Sequence, residues 1–441
     1  MQHKKYIQWL YSELPEWVKR QIISAETSRK LRDYYGAVDQ PKSRNIALIV
    51  CGILGSALIG AGVILLFAHN WDALNRPLRA VLSFTPLVTA QALAGWVLWK
   101  KTVSTTWREG SGVFLMLAVS AAIALIAQTY QIPGDLGNFL LTWMLLSFPI
   151  VYIMRSTTVA LLYLAGITAW AGYAESMSGQ ALLFWSLAAL MVPCVWMEIR
   201  RDRYTMRSVL LRWGFALCLT IALGIVLEKI IPGLWIIIYS GLFAVMYLVG
   251  QLWFRDIPKV WQKPLFLVGS IGIACHSFLL TYRWPWHEIG WHYYRTASHH
   301  HELPAIIDYV LAAGLPIAAI SLLMYARRRV SDNLLWLFGV APLIAVIGYS
   351  VAAWDQTAIM PMLLFNGYVF VLGLGVMISA LRQGRAGKLN AGLLLLAAVI
   401  LARFFDSDLN FLIRGLAFIG VGLGFLIANL VLARQSKGGA V

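Results

Sequence analysis

The sequence predicts an all-α polytopic integral membrane protein, a helical bundle of about fourteen transmembrane helices with both termini cytosolic. Composition is the first reason. Sixty per cent of the 441 residues are hydrophobic and only 13% are charged, too little polar surface to cover a water-soluble globule. The second is the grouping of the apolar residues into runs near the roughly 20 residues that cross about 30 Å of hydrocarbon. The third is the placing of Lys and Arg in short clusters between those runs, which is how topology signals are distributed.

Residues 1–44 form the soluble head. Trp17, Ile22, Leu31, Tyr34 and Tyr35 recur at helical spacing, giving helices over Glu16–Ile23 and Glu26–Tyr35. Ser24 is the expected N-cap, Glu26 lies in the first turn and Gly36 is the expected stop. Helices this short do not bury a core alone. They are expected to lie on membrane lipid, Lys and Arg towards anionic headgroups, or to dock a membrane-protein partner through residues 1–44. The N-terminus is too charged for a signal peptide.

The bundle occupies residues 45–433, followed by a cytosolic tail, 434–441. Its spans are expected at Asn45–Ala68, Leu78–Trp99, Ser111–Ala127, Phe139–Met154, Thr157–Tyr173, Ala181–Met197 and Val209–Leu227. The remaining seven are Gly233–Phe254, Leu265–Tyr282, Ala305–Ala326, Leu334–Ala353, Ala358–Leu381, Leu389–Ala402 and Leu412–Ala433. Alternating the loops across the membrane puts 29 of the 36 Lys and Arg residues on one side and 7 on the other. Omitting one span would spoil that asymmetry, so the charges check the count independently.

The net charge of +16 does not mark a nucleic-acid partner, because the cations are spread between spans and not gathered on one face. Cys51, Cys194, Cys218 and Cys275 each lie in an apolar run without metal-ligand spacing and read as small buried hydrophobes.

The stretch ending Lys30-Leu31-Arg32-Asp33-Tyr34-Tyr35, the basic linker and NIALIVCGILGSALIGAGVILLFAHNW resemble the predicted bacterial membrane proteins of the domain of unknown function 2157 family. The run ALIAQTYQIPGDLGNFLLTWMLLSFPIVYIMRS adds Gln128, Tyr130, Pro133, Asp135, Trp143 and Pro149 to the likeness, which covers approximately residues 15–160. It implies a multi-pass protein of the bacterial inner membrane and no established chemistry.

Ionisable groups within spans are the default functional candidates, because each costs a few kcal/mol in hydrocarbon unless paired or wet. His276 is placed in the middle of the ninth span and Asp308 a turn inside the tenth. Arg79 and Arg414 stand just inside the outer ends of the second and fourteenth. The outer turns carry Trp71-Asp72, Gln128 to Asp135, Trp354-Asp355 and Arg403 to Asp408. Leu74-Asn75-x-x-x-Arg79 and Leu409-Asn410-x-x-x-Arg414 share a fragment that suits a parallel repeat. Asp72, Arg79, Gln128, Asp135, His276, Asp308, Asp408 and Arg414 are therefore the candidate substrate-binding residues. The competing reading of the same groups is interfacial anchoring by Trp belts, Asp caps and snorkelling Arg.

The longest outer loop, RWPWHEIGWHYYRTASHHHELP, holds five histidines, of which His287, His292, His299 and His301 are weak metal candidates without an HExxH pattern. Its Trp284, Trp286 and Trp291 suggest a loop lying in the headgroup layer. No nucleophile elbow, phosphate-binding loop or dinucleotide fingerprint occurs, so neither a cofactor nor a catalytic residue is expected.

Span count, the repeat and proline-bearing spans (Pro86, Pro149, Pro193, Pro316, Pro342) favour a transporter or lipid-linked-substrate translocase. The scarcity of buried charge favours a non-catalytic membrane scaffold or complex subunit. A transporter predicts a wet polar path reaching His276 or Asp308; a scaffold predicts a dry bundle with its polar groups at the faces. An enzyme centred on the His-rich loop is the third reading.

Overall fold

The computed structural model describes residues 75–102, 104–177, 181–227, 233–257, 259–287, 303–329, 332–354 and 358–404. It also describes most of 16–35 and scattered positions elsewhere. These residues are helical, with no strand among them. The chain divides into two compact units, Met1–Arg79 and Ala80–Val441.

In the first unit, residues 16–18 are helical, the chain turns at Gln21 with φ 57, and α1 spans Ala25–Tyr35. The expected cap is present: Ser24 Oγ accepts from the Thr27 N–H at 3.1 Å. Glu16–Arg20 and Glu26–Lys30 pairs at i,i+4 brace the two segments. The expected stop at Gly36, the head–bundle boundary at 44 and the C-terminal tail lie outside the described residues.

Twelve expected spans have helices. They are α2 (Arg76–Lys100), α3 (Thr105–Tyr130), α4 (Leu136–Met154), α5 (Thr157–Met177), α6 (Leu183–Ala189), α7 (Val192–Arg201), α8 (Met206–Val226) and α9 (Leu234–Trp253). Then come α10 (Pro264–Leu279), α11 (Leu303–Arg327), α12 (Leu334–Gly339), α13 (Ala341–Trp354), α14 (Ile359–Gln383) and α15 (Ala386–Phe404). Eleven stretches are long and apolar enough to cross a membrane, and α10, at 16 residues, is shorter. The first expected span, and all but scattered positions of the fourteenth, lie outside the described residues.

Two spans that the hydropathy draws as continuous are broken. The sixth splits into α6 and α7 ahead of Pro193, and the eleventh into α12 and α13 ahead of Pro342. Proline supplies no N–H and its ring crowds the preceding turn, so the ladder is interrupted there. Tyrosines from neighbouring helices take the loosened carbonyls. Tyr152 Oη donates to Leu190 O at 2.5 Å, Tyr163 Oη to Leu187 O at 3.3 Å and Tyr368 Oη to Leu337 O at 2.7 Å. Hydrocarbon offers no other partner for a freed carbonyl.

One core joins residues of α2–α8, around Met116, Met144, Tyr163, Ile167 and Phe184. A second joins α9–α15, around Tyr247, Trp286, Phe338 and Phe365. A third, from Ala216 and Leu223 of α8 to Ile238 and Met246 of α9, joins the two. Helix α9 is buried on all sides, with Ile236, Ile238, Ala244 and Leu248 fully enclosed. It approaches α10 almost backbone to backbone: a Cβ on Gly250 would stand 2.5 Å from Phe266 N, and one on Gly269 2.4 Å from Tyr247 N. This is the use of small residues where lipid gives no hydrophobic drive to association.

Cys194 and Cys218 are buried as expected, whereas Cys275 is exposed on the bundle surface.

Candidate functional site

His276 lies nearer the end of its helix than the sequence places it. Because α10 stops at Leu279, the histidine sits in the last turn. There it is buried, its Nε2 3.0 Å from Ile236 O. Trp235, Tyr239 and Phe243 stand around it, with ring centroids 5.4, 5.9 and 6.3 Å away. Asp308 is buried in the second turn of α11. Near this end Asn366 Nδ2 donates to Thr281 O at 3.1 Å, and Arg403 reaches Thr281 Oγ1 at 3.3 Å with its guanidinium 4.8 Å from the Tyr282 ring.

The other expected site residues do not join that group. Asp135 is the N-cap of α4 and accepts from the Asn138 N–H at 2.6 Å. Gln128 is exposed near the end of α3. Arg79 lies in the first turn of α2, which Asn75 caps by accepting from the Leu78 N–H at 3.1 Å. Asp72, Asp408 and Arg414 lie outside the described residues, as do His292, His299, His300 and His301. His287 is exposed after the 3₁₀ turn Trp284–Trp286. Among the described residues no three His, Cys, Asp or Glu side chains are grouped for a metal. Trp286 is not an interfacial residue: it is buried, donates to Leu280 O at 2.9 Å and packs 5.5 Å from Phe365.

The denser arrangement of charge is at the opposite helix ends, where the basic turns meet. Arg108 donates to Met154 O at 2.9 and 2.6 Å, and Glu109 accepts from Ser156 Oγ at 2.5 Å and from the N–H groups of Thr157 and Thr158 at 2.7 and 2.9 Å. Arg207 donates to Arg155 O and lies 3.5 Å from Glu198. Arg203 donates to Trp253 O at 2.9 Å and pairs with Asp256 at 2.8 Å, where Tyr204 Oη also donates. The Tyr204 hydroxyl first, then Arg203 and Lys263, hold the Asp256 carboxyl below its ordinary range. Arg212 is buried in the second turn of α8. It donates to Ser208 O and Arg203 O at 3.0 and 2.7 Å, and its guanidinium lies 4.2 Å from the Phe254 ring.

Next to this network a cavity of about 590 Å³ opens between the α9–α10 turn, Asp332 and the α14–α15 turn. Arg255, Lys263, Arg385 and Lys388 line it together with Asp256 and Asp332. It adjoins a second cavity of about 300 Å³ between α12 and α14, which shares Asp332 and Gln383.

In the sequence these cations stand out only as topology markers. Arg212 falls inside the expected span Val209–Leu227 and so was open to notice as a charge in hydrocarbon. Glu109 carries a weaker signal, since its partners lie more than 45 residues on, and no local motif connects them.

These features define a polytopic, all-helical membrane protein whose charged side chains sit towards its helix ends. Residues 15–160 match the family model of the predicted membrane proteins DUF2157. No curated protein and no solved structure matches the chain.

Proposed function

We propose that the chain is a non-catalytic scaffold or complex subunit of the bacterial inner membrane, holding lipid and a membrane-protein partner at its ends. One observation carries this reading. Across α2–α15, every described Asp, Glu, Lys, Arg and His lies within about two turns of the end of its span, where water and headgroups are within reach of a side chain. His276, the most central candidate on sequence grounds, is a last-turn residue ringed by aromatic side chains. The buried hydroxyls of Ser111 and Thr129 return to carbonyls four residues back on their own helices.

The competing reading, a transporter or lipid-linked-substrate translocase, is favoured by the two broken spans, since discontinuous helices build many transport sites. The tyrosine bonds at both breaks weigh against it, because they occupy carbonyls that a coupling ion would use.

Single cysteines placed at 276 and 308 on a cysteine-free background separate the two. With membrane-impermeant thiol reagent on either side, the scaffold reading expects neither position to label. Labelling of both would establish a wet path and return transport to first place.

A further inference from the structure

We propose that the cavity between the α9–α10 and α14–α15 turns binds the phosphate-bearing headgroup of an anionic amphiphile. The inference goes beyond the scaffold reading and does not depend on it.

The cavity carries four cations against two carboxylates, and neither carboxylate is fully available to them. Asp256 is engaged from outside the cavity by Arg203 and Tyr204. Asp332 Oδ1 is engaged by the Leu334 N–H at the start of α12, 3.1 Å away. Two of the cations make neutral contacts, Lys263 Nζ with Arg255 O at 2.7 Å and Lys388 Nζ with Gln383 Oε1 at 3.0 Å. The guanidinium of Arg385 is exposed. The four cations feel one another: burial lowers the Lys263 ammonium, Asp256 raises it, and Arg385, Arg255 and Lys388 lower it further. A cluster of like charges held in one concavity is relieved by an anion. Two forked guanidiniums and two ammoniums suit the several acceptor oxygens of a phosphate.

The adjoining cleft points to an amphiphile. From the shared Asp332 and Gln383 it runs between Leu334 and Leu337 of α12 and Gly375 and Ile378 of α14. Its lining also includes Asn333, Ser379 and Arg382, so aliphatic side chains lie directly beside the polar and cationic groups, the mixed surroundings that suit a headgroup and the start of its acyl chain. Basic pockets between membrane helices take anionic headgroups in this manner.

The test uses the purified full chain in phosphatidylcholine nanodiscs, with phosphatidylglycerol as the lipid probe and pyrophosphate as the soluble one. Native mass spectrometry reads retained lipid, and thermal stabilisation reads pyrophosphate. Wild type is expected to retain phosphatidylglycerol over phosphatidylcholine. The exposed pair R255Q/R385Q should weaken that retention about tenfold or more, since charge-assisted contacts to phosphate are lost, while R255K/R385K should keep most of it. Ile378→Trp, which narrows the apolar cleft, should reduce lipid retention and leave any pyrophosphate effect unchanged. Pyrophosphate binding that R255Q/R385Q abolishes, without lipid preference, would keep the anion site but assign it to a soluble phosphate and overturn the amphiphile. Equal behaviour of wild type and R255Q/R385Q towards both probes would overturn the site altogether. Circular dichroism of each variant shows whether it is folded, and R255Q/R385Q alters exposed side chains only, so loss of fold does not decide the outcome.

Discussion

Arg108 and Glu109, adjacent in sequence, hold the two sides of one turn: Arg108 takes the Met154 carbonyl at the end of α4, and Glu109 takes Ser156 Oγ and the Thr157 and Thr158 N–H groups at the start of α5. A cation on a helix C-terminus and a carboxylate on an N-terminus each match the local dipole. Between them Arg155 adopts φ 48, the left-handed conformation that closes the turn.

Glu109→Gln keeps the size of the side chain but removes the charge facing three donors. It is expected to lower stability by about 1–2 kcal/mol, the scale of a lost helix cap, read as the denaturation midpoint in mixed micelles. An unchanged midpoint would mean the turn is held by packing alone.

The tyrosines at the two broken spans give a second prediction. Tyr152→Phe and Tyr368→Phe should each cost about 1 kcal/mol, the net worth of one hydrogen bond. The double variant should show the sum, because the breaks belong to different helix groups. Their midpoints against that of the double variant check it, and an unaffected or stabilised single variant would count against carbonyl stitching.

At the α9–α10 contact, Gly269→Ala forces a methyl against the Tyr247 N and Phe243 O atoms, 2.4 and 2.7 Å from the new carbon. Backbone cannot swing aside as a side chain does, so a loss of about 1–3 kcal/mol is expected. Gly95→Ala, where nothing lies within 4 Å, is the control and should be neutral or slightly stabilising. Equal midpoints for the two variants would show that the helices do not approach this closely.

The Asp256 carboxyl gives a pH dependence. Its folded pKa lies below its ordinary value of 3.8, chiefly through the Tyr204 hydroxyl. A depressed carboxylate contributes stability that is present above 3.8 and is lost as pH falls through the lowered value. The pair with Arg203 is partly exposed, so the effect at neutral pH is under about 1 kcal/mol. Comparing wild type with Asp256→Asn, the difference in midpoint should be present at neutral pH and shrink as acid titrates the group. A difference that grows in acid has the wrong sign.

The helical membrane class and twelve of the span positions are legible in the apolar runs, because length and hydropathy report directly on crossing hydrocarbon. The breaks before Pro193 and Pro342 are not, since proline occurs both in kinked spans and in split ones, and Pro86 and Pro316 lie within continuous helices. Nor does hydropathy separate α9, enclosed by protein, from helices facing lipid: both environments are apolar, and only Ser240, Gly241 and Gly250 hint at the difference. The candidate site was legible in its parts. The positive clusters mark the loops sharing one side, but their convergence on Asp256 and Asp332 depends on helix packing that no local pattern encodes. The apolar run continues past Leu279 and so centres His276 in its expected span, whereas the helix stops at Leu279.

On the scaffold reading, the aromatic enclosure of His276 is dry and accessible charge belongs to the helix ends. Radiolytic hydroxyl-radical footprinting of the reconstituted full chain tests it without any substitution, since oxidation reports water beside each side chain. Little modification of His276, Trp235, Tyr239 and Phe243 is expected, with ready oxidation of the exposed Trp261 and Tyr204 beside the basic turns. Oxidation of His276 and its three aromatic neighbours at rates matching Trp261 would contradict it and reveal a hydrated route into the bundle.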